Sequence, residues 1–438
     1  LKNQPVQDRS QENKNLDDIL SNNQINLQKR FGVVMFDLVE DHDGKLMPMP
    51  GAGWASISGK SSFRIKDTND LDKETKWLTN LNQETLWKSG AVKQTKLKHS
   101  AYLRTDVGQI MKDLGLTTPK YPIAKICETI SEIFTKVMNL AIEYYDLKEF
   151  NQKELYTELR MSLLPEDRNI SIHVDEALTR SYQDLIICQK PVLKENHQFV
   201  TLRRPRYFHA KSILETSIPY WDSEWDFLGP DDLPVNHKDR IAFLMAQEKP
   251  FVAKVNILEY QYQDKINLDI KRLMDLGVAL GEGGKSKERN WVSQPELLYL
   301  SKFTNISVEA AFLAKGYQSL EKMIELPYLG ELSDFSYSVG LLAECVWIGL
   351  ATRSVNPQTR TKTLVSPRAC WLKAADKFMT LTSAMMLSSA GFEVTSYGYG
   401  GVTILLEESR LNNLIEIAPH TGLCVPTNLI EKRNVIFT

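Results

Sequence analysis

Apolar residues recur along this chain with two periods, and the switches between them mark its elements. Residues 1–30 carry no apolar run and are rich in Asn, Gln, Asp and Lys. Such a segment cannot bury enough apolar surface to offset its chain entropy, and it predicts a polar N-terminal arm. From Arg30 the run RFGVVMFDLVE carries the β-branched and aromatic weight of a strand. Asp43-Gly44 follows as a turn signal, and WASISGKSSFRIK predicts further strand. Trp77, Leu78, Leu81 and Trp87 predict a helix within 69–90. The cleanest helical period begins after Pro122, with Ile126, Cys127, Ile130, Ile133, Phe134, Val137, Met138 and Ala141 on one face. Shorter helices are expected over Gln152–Leu163 and His173–Ile187.

The middle and the end change character. HQFVTLRRPRYFHAK, 197–211, reads as a strand running into a basic, aromatic segment. Residues 217–237 read as a proline-bearing loop, and 250–262 as a strand. A helix, INLDIKRLMDLGVAL, then leads to a glycine-rich basic loop at 281–290. Ser307 is expected to cap a helix reaching about Ile324. The stretch from Phe335 to Ala351 is apolar but contains Glu344 and is shorter than the roughly 20 residues of a membrane span. It predicts a buried core helix, with Gly340, Ala343 and Gly349 admitting a close neighbour. Ser366-Pro367 opens a further helix that Gly391 closes. FEVTSYGYGGVTILL reads as two strands around a turn at Gly398–Gly401.

Strands cluster instead of alternating with helices, so the expected class is α+β, helix-rich, with a helical core and small antiparallel sheets or hairpins. Four regions are expected: the arm at 1–30, an α+β region at 31–190, a middle α+β region with basic and acidic loops at 191–303, and a helical region ending in a hairpin at 304–438.

Composition adds boundaries. With 53 basic and 55 acidic side chains the formal charge is −2, which excludes a protein that wraps nucleic acid by net positive charge. The balance is a sum of opposed patches, with bases at 203–211, 285–289 and 353–368 and acids at 37–43 and 222–232. The cysteines, Cys127, Cys188, Cys345, Cys370 and Cys424, are scattered, and they point to a reducing compartment, the cytoplasm or the inside of an assembled particle.

Arg203, Arg204, Arg206, Tyr207, Phe208, His209 and Lys211 form the densest basic-aromatic cluster, a pattern suited to phosphates and stacked bases. Lys285, Lys287 and Arg289 in the glycine-rich loop, with Arg353, Arg360 and Lys362, are expected to extend it into a nucleic-acid face. The Ala279–Ser286 stretch fits a relaxed phosphate-loop pattern with Ala in place of the first Gly, yet it follows a helix and opens none, so a surface connector is favoured. Trp221 and Trp225, set among Asp222, Glu224 and Asp226, are expected to anchor an interface. No metal site or cofactor is expected. Asp37, Glu40 and Asp43 read as a turn, because Asp37 and Glu40 fall on different faces of a strand. The hairpin YGYGGVTI resembles the glycine turn of a polymerase or cyclase palm, but it has no carboxylate at the turn to hold metal.

Three functional classes remain. The favoured expectation is a non-enzymatic structural subunit of a self-assembling homo-oligomer of coat or nucleocapsid type, enclosing or lining nucleic acid. The second is a nucleic-acid-binding subunit of a mobile-element or defence ribonucleoprotein. The third is an enzyme whose site gathers distant residues. No membrane partner is expected.

Overall fold

A computed structural model describes residues 30–40, 44, 46–88, 97–98, 103–118, 120–147, 155–163, 170–182, 186–187, 195–220, 224–260, 278–280, 286–288, 290–302, 304–327, 336–352, 354–355 and 363–436. The arm, residues 266–277 of the helix expected over INLDIKRLMDLGVAL and most of the 281–290 loop lie outside them, and the last three residues of that expected helix, 278–280, are strand instead.

The first half opens with β1 (Phe31–Glu40), β2 (Leu46–Ile57), β3 (Phe63–Ile65), β4 (Lys76–Thr79), α1 (Gln83–Lys88) and β5 (Leu97–Lys98). They form one sheet in the order β3-β2-β1-β4-β5, antiparallel on the β2 side of β1 and parallel on the β4 side. The helix expected over 69–90 is therefore a strand followed by a short helix. Neighbouring Trp77 and Leu78 are both fully buried because β4 has a core on each face. Trp77 joins Phe36, Ile65 and Leu81 on one side, and Leu78 joins Phe31 and Phe134 on the other. A run buried on both faces carries no period that separates strand from helix. On β1, Asp37 is gripped by both terminal nitrogens of Arg64 from β3.

Four helices follow: α2 (Val107–Leu114), α3 (Ile123–Tyr145), α4 (Leu155–Leu163) and α5 (Ile172–Ser181). Helix α3 buries the face read from its period, Ile126 to Ala141. It lies on the first sheet, where the Cys127 thiol donates to the Val33 carbonyl at 3.3 Å. Burial pushes that thiol up to about 12. The helix expected to reach Ile187 stops at Ser181, and Ile186 lies on β6 (Ile186–Ile187).

The middle contains β7 (His197–Arg203), α6 (Arg206–Leu214), β8 (Ser217–Pro219), β9 (Trp225–Leu228), α7 (Arg240–Ala246), β10 (Phe251–Tyr260), β11 (Val278–Leu280), β12 (Ser286–Glu288), β13 (Trp291–Ser293), α8 (Gln294–Leu300), β14 (Thr304–Ala314) and β15 (Tyr317–Ser319). Residues 217–237 thus hold two strands where a loop was expected. The helix expected from Ser307 is instead β14, the strand between β10 and β9. Its apolar run is buried on both faces, so the same ambiguity misled the sequence reading. The glycine-rich segment links the antiparallel pair β11 and β12, whereas a phosphate loop would open a helix.

Last come α9 (Ser336–Ala351), β16 (Ser354–Val355), β17 (Thr363–Leu364), α10 (Pro367–Ser389), β18 (Glu393–Gly398), β19 (Gly401–Glu407), α11 (Leu411–Ile417) and α12 (Thr427–Ile436). The class is α+β. Strands β6, β18, β19 and β7 form a four-stranded sheet in that order. Ser366 caps α10 by accepting from the Ala369 amide at 3.1 Å, and Gly391 closes the helix at φ +83°. Helix α10 joins two cores, contributing Trp371 and Leu372 to one and Leu381, Ala384 and Leu387 to the other.

Helix α9 is buried on all sides, as its apolar stretch predicts. No helix among the described residues is long and apolar enough to cross a membrane. At Gly349 a Cβ would sit 2.4 Å from the Tyr156 carbonyl of α4. Gly349→Ala must therefore push the two helices apart. An overpacking cost of about 1–3 kcal/mol is expected, measurable by urea denaturation. An unchanged midpoint would show that the contact yields freely.

Candidate functional site

The basic-aromatic segment is shaped by a strand end, a turn and a helix start. Arg203 is the last residue of β7 and pairs with Gly401 of β19. The Arg204 amide donates to the Gly400 carbonyl at 2.8 Å. Pro205 has no N–H to leave unsatisfied, and α6 begins at Arg206. The three arginines therefore leave the backbone in different directions within one turn of chain.

Two of them turn inward onto carboxylates. Arg203 Nη1 donates to Glu344 Oε1 at 3.2 Å, and Arg206 Nε to Glu344 Oε2 at 3.0 Å. Arg206 Nη2 also donates to Asp113 Oδ2 of α2 at 2.8 Å, and the Tyr337 hydroxyl donates to the same oxygen at 2.8 Å. Gln109 Nε2 donates to Asp113 Oδ1 at 2.7 Å. The Glu344 side chain is only 4% exposed and that of Arg206 only 11%. Burial opposes the Arg206 charge, but Glu344 and Asp113 outweigh it and hold the guanidinium above its ordinary value. Burial likewise pushes the Tyr337 phenol well up. Helices α6 and α9 pack closely at Gly340, where a Cβ would lie 3.4 Å from Arg206 Cβ, an ordinary van der Waals contact that does not itself require glycine.

Arg204 differs. Its guanidinium has no ion-pair partner among the described residues. It lines a cavity of about 380 Å³ with Thr201, Tyr207, Phe208, Cys424 and Pro426. Phe208 is 59% exposed, and its ring meets Tyr207 edge to face at 5.7 Å. The Cys424 amide donates to the Arg203 carbonyl at 2.7 Å and ties the C-terminal segment to this wall. Burial raises the Cys424 thiol above its ordinary value.

Behind the cavity lies the glycine turn. Tyr399 and Gly400 adopt φ of +53° and +68°, and their amides each donate to the buried Asp376 carboxylate at 2.7 Å. His209 Nε2 approaches the same carboxylate at 3.0 Å. A Cβ at position 400 would meet His209 Cδ2 at 2.8 Å, so only glycine fits. The Tyr399 ring carries Lys373 Nζ 3.1 Å from its centroid and the Arg104 guanidinium 4.2 Å from it. The carboxylate at this turn comes from α10 rather than the hairpin, and it is held by two backbone amides and an imidazole. Among the described residues no three His, Cys, Asp or Glu side chains gather to hold a metal.

Of the residues singled out in the sequence, Arg203, Arg204, Arg206, Tyr207 and Phe208 meet at one cavity wall. Lys211 is exposed on α6 and does not line it. Lys287 lies on β12, while Lys285, Arg289, Arg353, Arg360, Lys362 and Trp221 fall outside the described residues. Arg368, counted in the third basic patch, is buried and donates to the Leu350 carbonyl at 3.1 Å. Trp225 packs its ring against Trp371 at 6.3 Å. Sequence reasoning missed Asp113, Tyr337 and Asp376, and it placed His209 in the basic-aromatic cluster without its partner Asp376. Glu344 was legible, since a single carboxylate within an apolar helix demands a buried partner.

No family model and no curated protein matches this chain. Solved structures similar to it include phi29 DNA polymerase with primer-template DNA and incoming nucleotide substrates, at TM-score 0.42 and 10% identity. The same polymerase in a post-translocation binary complex gives 0.45 and 10%, and with single-stranded DNA 0.45 and 11%. Each alignment covers 86% of this chain and 80% of the other. The likeness concerns the course of the chain, and no residue role passes with it. These findings overturn the expectation of a structural, self-assembling coat or nucleocapsid-type subunit, for the similar structures are of a DNA polymerase. Trp225, expected to anchor an interface, packs instead against Trp371 of the same chain. The expected homo-oligomer is unsupported.

Proposed function

We propose that this chain is a nucleic-acid-binding protein that holds a single strand at the cavity beside β7 and α6. The observation that carries this reading is Arg204, an unpaired guanidinium among the described residues, on a wall shared with exposed Phe208. A guanidinium matches a phosphate in shape and charge. An exposed aromatic ring offers a base a stacking surface regardless of sequence. The cavity's volume, about 380 Å³, suits one unpaired nucleotide rather than a duplex. With a chain charge of −2, affinity is local and owes nothing to net charge.

Fluorescence anisotropy with labelled single-stranded and duplex oligodeoxynucleotides tests the reading. The single strand is expected to bind more tightly. Phe208→Ala is expected to weaken it about tenfold through lost stacking. Arg204→Ala is expected to weaken it and to lower the slope of log affinity against log salt by about one. If both variants bind like the parent, the cavity is not the binding site.

A further inference from the structure

We infer that this cavity takes a phosphodiester without a divalent cation between protein and phosphate, its own guanidinium groups acting in the cation's place; the inference rests on the nucleic-acid reading above. A cation that bridges protein to phosphate usually takes one or two protein carboxylates beside the phosphate oxygens. Both Glu344 oxygens accept from guanidinium nitrogens, at 3.2 and 3.0 Å. Asp113 Oδ1 accepts from Gln109, and Asp113 Oδ2 from Arg206 and Tyr337. Those donors are fixed by the fold, Arg203 by strand pairing with β19 and Arg206 by its place at the start of α6.

A metal ion would have to displace a buried guanidinium from each carboxylate, leaving that charge unpaired in a desolvated site. It would also approach three arginine charges that the two carboxylates do not fully balance. Among the described residues the uncompensated charge is that of Arg204, and it stands at the cavity wall where a phosphate oxygen can reach it. The arrangement is already cationic and already ordered, so a phosphate gains nothing from a metal here.

The test uses the full chain and a fluorescein-labelled single-stranded oligodeoxynucleotide, titrated in magnesium chloride and in EDTA at equal ionic strength. Equal affinity in the two buffers, with Arg204→Ala weakened about tenfold in both, is expected. Affinity that collapses in EDTA and returns with magnesium would overturn the inference while leaving the nucleic-acid reading standing. The same holds if magnesium restores parental affinity to Arg204→Ala. A lack of binding in both buffers would overturn the nucleic-acid reading, and the inference with it.

Discussion

Glu344→Leu is expected to cost this protein about 3–5 kcal/mol of stability, the range for removing one partner of a buried ion pair. Glu344 lies on α9, a helix otherwise lined by apolar residues, and its two oxygens bind Arg203 and Arg206. Leucine fills much of the same volume but strands two guanidinium groups in a desolvated place. Asp113 retains one of them through its 2.8 Å contact with Arg206, whereas among the described residues no other ion pair holds Arg203. Urea denaturation should show a lower midpoint at an unchanged slope. Glu344→Gln keeps the shape and one acceptor oxygen and should lose less. A near-neutral leucine variant would mean that Arg203 and Arg206 reach water on their own, and the picture of a closed network would fall.

Asp376→Ala is expected to lose a comparable amount, about 3–5 kcal/mol, because one carboxylate holds two strained-turn amides and a buried imidazole. The same group gives stability a pH dependence. Burial by itself would raise the Asp376 carboxyl. The His209 hydrogen bond, the Lys373 and His209 charges and the Gly400 amide outweigh burial, so the group sits below the usual aspartate range. A depressed carboxyl contributes stability that is fully present above its unfolded value of about 3.9. That contribution is lost as pH falls through the lower folded value. Denaturation midpoints measured downward from pH 5 should therefore fall less steeply in Asp376→Ala than in the parent. Parallel profiles would show that folding does not shift the Asp376 carboxyl from its unfolded value. Should the alanine variant fail to fold, Asp376→Asn retains an acceptor for one amide and answers the same question.

The two variants also bear on the site, since Glu344 sets where Arg203 and Arg206 point and Asp376 sets the turn against which Arg204 leans. Their binding defects are best read against Arg204→Ala, which removes a charge at the cavity wall without opening a core.

What the sequence determined by itself is local. The face of α3, the caps of α10, the all-round burial of α9 and the β18–β19 hairpin follow from side-chain periods, Ser366, Pro367 and glycine placement, because each depends on residues near one another in the chain. The clustering of Arg203, Arg204, Arg206, Tyr207 and Phe208 was equally legible, since they are neighbours. Where both faces of an element are buried, as in β4 and β14, the pattern loses its period, and strand was read as helix. Only the tertiary structure decided which of the cavity-wall arginines bind carboxylates and which one is left without an ion pair among the described residues. Asp113 and Glu344 come from helices far along the chain on either side, and Asp376 reaches the glycine turn from a third. A buried charge is satisfied by whatever partner packing brings within about 3 Å, and no local pattern encodes that meeting.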